Sequence, residues 1–168
     1  MPVLFILAVT ALCFAAFMAS TYKDLATGLP MMDRPAIRYN VLKEAELNGL
    51  DPKIFMALIF SESSGDPANF VGDNGRSFGP GQFNVYDERG NLSATAIQFG
   101  YTGNGSDLLD EGLGIHYAAL VLKDKLAAAN GIYQDAILAY KGGANPNQTA
   151  YAERDLVFKD YTDKLHYS

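Results

Sequence analysis

The stretch FSESSGDPANFVGDNGRSFGPGQF, residues 60–83, contains the junction between an apolar helix and a glycine-rich segment. The helix is predicted to begin at Asp51, a favourable N-cap, with Pro52 in the first helical position, where no N–H is needed. A stripe at i, i+3, i+4 and i+7 follows: Phe55, Leu58, Ile59 and Glu62. Glu62 therefore projects from the apolar face, close to the point where residues 65–67, Gly-Asp-Pro, are expected to end the helix.

Glu62 is placed where a negative charge is unfavourable. Burial disfavours the carboxylate, and the C-terminal end of a helix carries partial negative charge, so the pKa should rise from its ordinary value of about 4.3. A carboxyl that stays partly protonated near neutral pH can act as the general acid that breaks a glycosidic bond. The alternative is a solvated glutamate at a helix end with no role in chemistry.

Glycines are frequent after the helix, at Gly72, Gly75, Gly79 and Gly81. Such a segment lets a polymer approach the backbone, whose N–H and C=O groups can then bind sugar hydroxyl and acetamido groups. An ordinary surface loop is the alternative. A nucleotide-binding loop is excluded, because no Gly-Lys-Ser/Thr sequence ends the run.

Composition restricts the class of protein. The 168 residues suffice for one domain, and the net charge of −6 argues against a nucleic-acid partner, which would require clustered Lys and Arg. Cys13 is the only cysteine, and the two histidines, His116 and His166, are not spaced as a metal pair. We therefore expect no cofactor and no metal.

The N-terminal run from Val3 to Ala19 carries no charge. It is about 17 residues long, near the lower limit for crossing a membrane. We predict an uncleaved transmembrane anchor over residues 1–22, followed by one folded domain over residues 23–168. Secretion after signal cleavage is the main alternative, and a buried core helix is another.

Apolar periodicity predicts the remaining elements. Helices are expected over residues 33–50, 107–130, 133–140 and 148–165, with a core stripe in the second of these at Leu109, Leu113, Tyr117, Leu120 and Leu126. Residues 83–87 and 93–99 have the composition of short strands around a turn. The predicted fold class is α+β, predominantly α, with a small irregular or β lobe and one N-terminal hydrophobic helix in front.

Three segments together resemble a known family: ALIFSESSGDP (57–67), VGDNGRSFGPGQF (71–83) and AILAYKGG (136–143). They are similar to the lysozyme-like lytic transglycosylases, with a Gly-Asp-x-Gly-x-x-Phe-Gly-x-x-Gln portion like that of goose-type lysozyme. The resemblance covers residues 50–161 and implies a lysozyme-like fold that cleaves peptidoglycan glycan strands.

The resemblance also implies roles for individual residues. Glu62 would be the catalytic acid and base. Ser63 would steady the helix end, and the expected substrate-binding residues are Ser63, Gly79, Gln82, Tyr140 and Tyr151. Tyr140 would either flank the saccharide or support Glu62. Tyr151, or alternatively Tyr161, would bring a hydroxyl to Glu62, and Asp73 would either position water or simply hold a turn.

Departures from the family pattern leave the reaction open. Lys141 stands where the family usually has Asn, Pro80-Gly81 replaces two larger residues, and residues 84–105 align with nothing in the family. Goose-type lysozymes carry a second acidic residue where this chain has Asn84, so transglycosylation by Glu62 alone is favoured over hydrolysis assisted by Asp73.

An inactive structural or glycan-binding protein of a phage particle or secretion apparatus is the alternative from another class, since fold does not secure function. An anchored enzyme of this size would suit local wall penetration, by a virion or by such an apparatus. In either setting the expected partners are glycan strands, the membrane and proteins of the assembly.

Overall fold

The computed structural model describes residues 25–27, 34–143, 145–161, 163 and 165–167. The predicted anchor over residues 1–22 lies outside them, as do Cys13 and the side chain of His166. In the described part of the chain, no helix is both long enough and apolar enough to cross a membrane.

The described residues are mostly helical, with a small three-stranded antiparallel sheet, which confirms the predicted α+β, mainly α class. Their α-helices are α1 (Pro35–Asn48), α2 (Pro52–Ser63), α3 (Ala94–Gln98), α4 (Glu111–Ala128), α5 (Tyr133–Gly142) and α6 (Gln148–Leu156). Short 3₁₀ turns cover Pro67–Asn69 and Gly105–Leu109, and a π-helical turn, Val157–Tyr161, continues α6.

The strands form two antiparallel groups. β1 (Leu25–Thr27) pairs with β5 (Leu165–Tyr167), and the three-stranded sheet has the order β2 (Val71–Gly72), β3 (Ser77–Phe78), β4 (Phe83–Asn84). Within this sheet, Val71 pairs with Phe78, and Phe78 with Phe83. The sheet immediately follows the helix that carries Glu62.

Helix α2 is the central helix of the main core. Its first turn is capped as predicted, because the Asp51 carboxylate accepts hydrogen bonds from the N–H groups of Lys53 and Ile54 at 2.9 and 3.0 Å. Residues 55–59 are fully buried, so the helix is apolar around its whole circumference there. It ends at Ser63, slightly before the predicted Gly-Asp-Pro stop, because Ser64 takes the left-handed conformation with φ 56°.

A second, smaller core lies beneath the sheet. It contains Phe83, Val85, Ala96, Tyr101, Leu108 and Val121. Aromatic rings meet edge to face within it, for example Phe83 with Tyr101 at 5.8 Å between ring centres. Tyr140 packs against both cores, which places it where the two halves of the fold meet.

Several predicted elements differ from the structure. Residues 93–99 were predicted as a strand, but Ala94–Gln98 form α3, because the Ser93 hydroxyl caps the helix by accepting from the Ala96 N–H at 3.0 Å. Of residues 83–87, only Phe83–Asn84 are a strand, and Tyr86 forms an isolated bridge with Leu92. The last helix ends at Tyr161 instead of residue 165, where β5 begins.

The predicted core stripe of α4 was also wrong in part. Leu109 and Leu113 are exposed, at 41% and 36%, because the helix begins only at Glu111 and is rotated so that another face meets α1 and α5. The residues of α4 that are fully buried in the main core are Ile115, Ala118, Ala119 and Leu122.

Candidate functional site

Glu62 lies in the last turn of α2, between the buried helix body and the glycine-rich segment. Its side chain is 15% exposed. The Oε1 atom is buried and has no well-aligned hydrogen-bond partner among the described residues. Oε1 contacts the Lys141 ammonium at 2.9 Å, and this incomplete pairing of a buried carboxyl marks Glu62 as a candidate functional group.

Glu62 opens onto a polar cleft of about 460 Å³. The described residues that line it are Ser61, Glu62, Gly72, Asp73, Ser77, Gln82, Asn84, Tyr140, Lys141 and Glu153. A neighbouring hollow of about 140 Å³ shares Gln82, Asn84 and Tyr140 with this cleft and extends toward Phe99 and Lys125. The two together provide an elongated surface on which several units of a polymer could lie.

A larger and more open depression, of about 580 Å³, lies beside the turn at Asn74 and Gly75. None of the predicted site residues is among those that line it, and Arg76 and Glu88, which do, form an ion pair at 3.8 Å. The cleft at Glu62 is therefore the better candidate for chemistry, despite its smaller volume.

Lys141 is the closest charged neighbour of Glu62. Its Nζ lies 2.9 Å from Glu62 Oε1 and 3.3 Å from an oxygen of Glu153, and its side chain is only 3% exposed. The contact with Oε1 is short enough for an ion pair, but it lacks the alignment of a good hydrogen bond. A nearly buried ammonium thus lies between a buried and a half-exposed carboxylate.

Burial raises the pKa of Glu62 above its ordinary value of 4.5, in agreement with the direction expected from the sequence. Lys141 opposes that shift, because an ammonium favours the ionised carboxylate. The negative charges of Glu153 and Asp73 raise the pKa further. Burial is the strongest of these influences, so the net direction is upward.

Asp73 lines the cleft from the turn between β2 and β3. It is exposed and takes a left-handed conformation, with φ 50°, and its carboxylate accepts a hydrogen bond from the Ser77 hydroxyl at 2.5 Å. The Asn84 side-chain amide lies 3.4 Å from the same hydroxyl. Asp73 therefore holds the turn and also faces the cleft, so both roles considered for it remain compatible with its position.

Gln82 lines the cleft and forms hydrogen bonds with two separate backbone segments. Its side-chain amide donates to the carbonyl oxygens of Asn69 and Gly79, at 2.9 and 3.0 Å. A Cβ at Gly72 would collide with the Gln82 side-chain oxygen, so a larger residue there would displace the Gln82 side chain. Gln82 lines the cleft as predicted, although its NH₂ group is already used within the protein.

Ser63 and Gly79 do not contribute groups to the cleft. The Ser63 hydroxyl is buried, donates to the Pro80 carbonyl oxygen at 2.8 Å and accepts from the Gly65 N–H at 3.2 Å. This geometry suits the role predicted for Ser63 at the helix end and leaves no exposed group for the predicted substrate contact. Gly79 is buried with φ 81° and packs against Leu108, so its predicted contact with sugar is likewise not supported.

Tyr140 lines the cleft, but its hydroxyl is used to hold the glycine-rich segment. It donates to the Gly81 carbonyl oxygen at 2.7 Å. Burial, assisted by the negative charge of Glu62, raises the Tyr140 pKa well above 10, so the hydroxyl stays protonated and can act only as a neutral group. Of the two roles considered for Tyr140, flanking the saccharide agrees better with this geometry than bonding to Glu62.

Tyr151, the tyrosine that was expected to contact Glu62, does not line the cleft. Tyr151 is 45% exposed, and its ring lies under the Arg154 guanidinium at 5.2 Å, outside the residues that line the cleft. The alternative, Tyr161, belongs to the π-helical turn, and its side chain lies outside the described part of the structure. Along α6 it is Glu153, two residues after Tyr151, that reaches the site.

The pair Lys141 and Glu153 was missed as a functional unit. Lys141 was noted only as a departure from the family pattern, and Glu153 was not singled out at all. The one signal in the sequence was that departure, since a lysine in an otherwise apolar or small-residue helix end demands an anionic partner. Which residue is that partner depends on how α5 and α6 pack, and no local sequence pattern predicts this packing.

Among the described residues, no group of three or more His, Cys, Asp or Glu side chains is arranged to hold a metal ion. His116 is half-exposed, and its Nδ1 lies 2.9 Å from Glu44 Oε2. It is not among the residues that line the cleft. Comparison of the chain with protein-family models, curated proteins and solved structures finds no match.

Proposed function

We propose that the chain is a peptidoglycan lytic transglycosylase, in which Glu62 serves as both acid and base. The observation that carries the proposal is the Glu62 carboxyl itself: buried at the end of α2, with a raised pKa, and open to a polar, elongated cleft. The mainly α fold with a small antiparallel sheet and the sequence resemblance support a lysozyme-like fold.

The proposed reaction begins with the protonated form of Glu62. The carboxyl gives its proton to the glycosidic oxygen between N-acetylmuramic acid and N-acetylglucosamine, and that bond breaks as the substrate's N-acetyl group stabilises the developing positive charge. The resulting carboxylate then takes the proton of the muramoyl C6 hydroxyl, whose oxygen attacks C1. The product carries a 1,6-anhydro end, no water is consumed, and Glu62 has regained its proton.

Hydrolysis is the second candidate, because Asp73 lines the same cleft. In that reaction Asp73 would position a water molecule that attacks C1 in place of the C6 hydroxyl. The Asp73 carboxylate accepts a hydrogen bond from the Ser77 hydroxyl at 2.5 Å, and by the family resemblance Asn84 stands where goose-type lysozymes have a second acidic residue. These two facts favour transglycosylation.

The location proposed for the domain is the periplasmic or wall-facing side of a membrane, with residues 1–22 as its anchor. An anchor restricts cleavage to nearby wall, which suits a phage particle or a secretion apparatus that needs an opening of limited size. Binding would depend on contacts in the cleft, because the net charge of −6 gives no attraction to an anionic wall.

The test is mass spectrometry of the muropeptides released from purified peptidoglycan by the full chain, with the Glu62→Gln variant beside it. We expect anhydro-muramoyl ends, lighter than hydrolytic ends by the mass of a water molecule, and no release by Glu62→Gln. Reducing ends would establish the hydrolase instead. Absence of release by the wild-type chain would favour a structural or glycan-binding protein.

A further inference from the structure

Lys141 poses a chemical problem for the proposed reaction. A general acid must hold a proton, yet an ammonium 2.9 Å from Glu62 favours the ionised form of that carboxyl. The lysine side chain is 3% exposed, so it cannot turn to water for solvation if Glu62 becomes neutral. A buried ammonium without a counter-ion would be unfavourable, so formation of the protonated acid would be disfavoured.

Glu153 offers the missing counter-ion. Its carboxylate lies 3.3 Å from Lys141 Nζ, and its side chain is 44% exposed. With Glu62 protonated, Lys141 and Glu153 form a neutral pair. With Glu62 ionised, the ammonium is shared between two carboxylates.

We propose that Glu153 is a positioning residue that acts through Lys141, holding the ammonium as its counter-ion so that Glu62 can carry the catalytic proton. This inference rests on the proposed function of Glu62 and adds to it a pair that the family resemblance does not assign. Burial favours the neutral form of the Glu62 carboxyl, and the Glu153 side chain, 44% exposed, stays in contact with solvent.

The same arrangement assists both halves of the reaction. As Glu62 gives its proton to the glycosidic oxygen, negative charge develops on a carboxylate that already faces an ammonium, and that charge is stabilised without any movement of the chain. When the C6 hydroxyl proton returns to Glu62, the ammonium is again neutralised by Glu153. The proton count at the site is the same before and after turnover.

The other charged and titratable groups around Glu62 are compatible with this role. Asp73 faces the cleft from the β2–β3 turn, and the neutral Tyr140 hydroxyl lies on the same helix as Lys141. On α6 and the turn that follows, Arg154 and Lys159 are paired with Asp155, at 2.7 and 3.3 Å. The pKa of Glu62 is raised by burial, lowered by Lys141 and raised again by Glu153, as the arrangement requires.

The test is the pH dependence of muropeptide release by the full chain at low substrate concentration. Its basic limb reports loss of the proton from the catalytic acid. Glu153→Gln leaves the ammonium to act on Glu62 alone, so the basic limb should move to lower pH by about one pH unit. Lys141→Met removes the cation, so the limb should move to higher pH by a similar amount, with a lower maximum rate because charge stabilisation is lost.

Matched controls exist on exposed surfaces. Glu46→Gln on α1 and Lys123→Met on α4 make the same changes of charge away from the cleft and should leave the limb in place. Opposite movements for the two cleft variants, with unchanged controls, would support the proposal. If Glu153→Gln does not move the limb, or moves it to higher pH, the proposal is overturned, even if the variant is slower.

Failure of the proposed function can be distinguished from failure of this inference. A wild-type chain that releases nothing contradicts the enzymatic proposal. Carbon NMR titration of the Glu62 carboxyl in the same proteins would then still decide the inference. A lower Glu62 pKa in Glu153→Gln would support the counter-ion role, and an unchanged or higher pKa would overturn it.

Discussion

Two glutamates on neighbouring helices, Glu44 of α1 and Glu62 of α2, differ in what surrounds them more than in how deeply they are buried. Their side chains are 6% and 15% exposed. Glu44 Oε2 lies 2.9 Å from His116 Nδ1 and 3.4 Å from the Asn48 amide, between α1 and α4. Glu62 Oε1 is buried 2.9 Å from Lys141 Nζ without a well-aligned hydrogen bond among the described residues, and the Glu62 side chain lines a cleft.

The contrast separates two uses of a buried carboxyl. Hydrogen bonds to nearby groups make the carboxylate at Glu44 part of the packing between helices. Burial of Glu62 disfavours its charge, and its side chain lines a cleft, which costs stability but prepares the group for proton transfer. Burial alone would not tell the two apart.

The largest effect is expected from Glu62→Gln. The amide keeps the shape of the side chain but cannot donate and recover a proton, so cleavage should fall by about a hundredfold or more. The free energy of unfolding should change by less than about 1 kcal/mol, because burial disfavours the Glu62 carboxylate and Glu153 remains as a counter-ion for Lys141. Muropeptide release and urea unfolding of the same preparation measure both quantities, and retained cleavage would remove Glu62 from the mechanism.

Glu44→Ala should give the opposite pattern. It removes the contacts with His116 and Asn48 and leaves a small cavity between α1 and α4, so we expect a loss of about 2 kcal/mol in the free energy of unfolding. The rate of cleavage at a temperature where both proteins are folded should stay within about twofold. Loss of activity without loss of stability would break the comparison, because it would make Glu44 a functional group.

Tyr140→Phe should have a smaller effect on stability. It removes the hydroxyl that donates to the buried Gly81 carbonyl oxygen at 2.7 Å, which should cost about 1 kcal/mol in the free energy of unfolding. The rate of cleavage should also fall, because the glycine-rich segment beside the cleft is no longer held at Gly81 by this hydrogen bond. Tyr151→Phe, at an exposed position outside the cleft, is the matched control, and equal effects of the two changes in thermal unfolding would argue against this role for Tyr140.

A pH-dependent difference in stability should be the subtlest effect. The Glu62 pKa is higher in the folded chain than its ordinary value of 4.5, so the folded chain binds more protons there than the unfolded chain. The contribution of Glu62 to stability therefore falls as the pH rises above about 4.5. Unfolding of wild type and Glu62→Gln from about pH 4 to pH 8 should show the variant gaining stability relative to wild type. A constant difference would contradict the raised pKa.

The features of the site that could be predicted are those that depend on residues close together in the sequence. The cap at Asp51, the buried face of α2 and the inward position of Glu62 depend on local spacing, and the structure has them as expected. Residues 93–99 were assigned the wrong element, because a cap at Ser93 outweighed the strand-like composition. At this point one local hydrogen bond, from the Ala96 N–H to the Ser93 hydroxyl, stabilises a helix instead of a strand.

The electrostatic partners of Glu62 could not be predicted in the same way. Lys141 and Glu153 belong to α5 and α6, and their meeting with α2 depends on the packing of three helices. Tyr151 was expected in that place, but the rotation of α6 presents Glu153 to the cleft and Tyr151 to solvent. The family resemblance predicted that α6 contributes to the site, but it did not predict which face of α6 lies toward the cleft.

The most direct test of the central proposal is peptidoglycan digestion by the full chain in water enriched in the heavy oxygen isotope, followed by mass spectrometry of the new chain ends. Transglycosylation by Glu62 attaches the substrate's own C6 oxygen, so the account predicts anhydro ends without the heavy isotope. Ends that carry it would show that water is the nucleophile, which would contradict the single-glutamate mechanism and give Asp73 the second catalytic role.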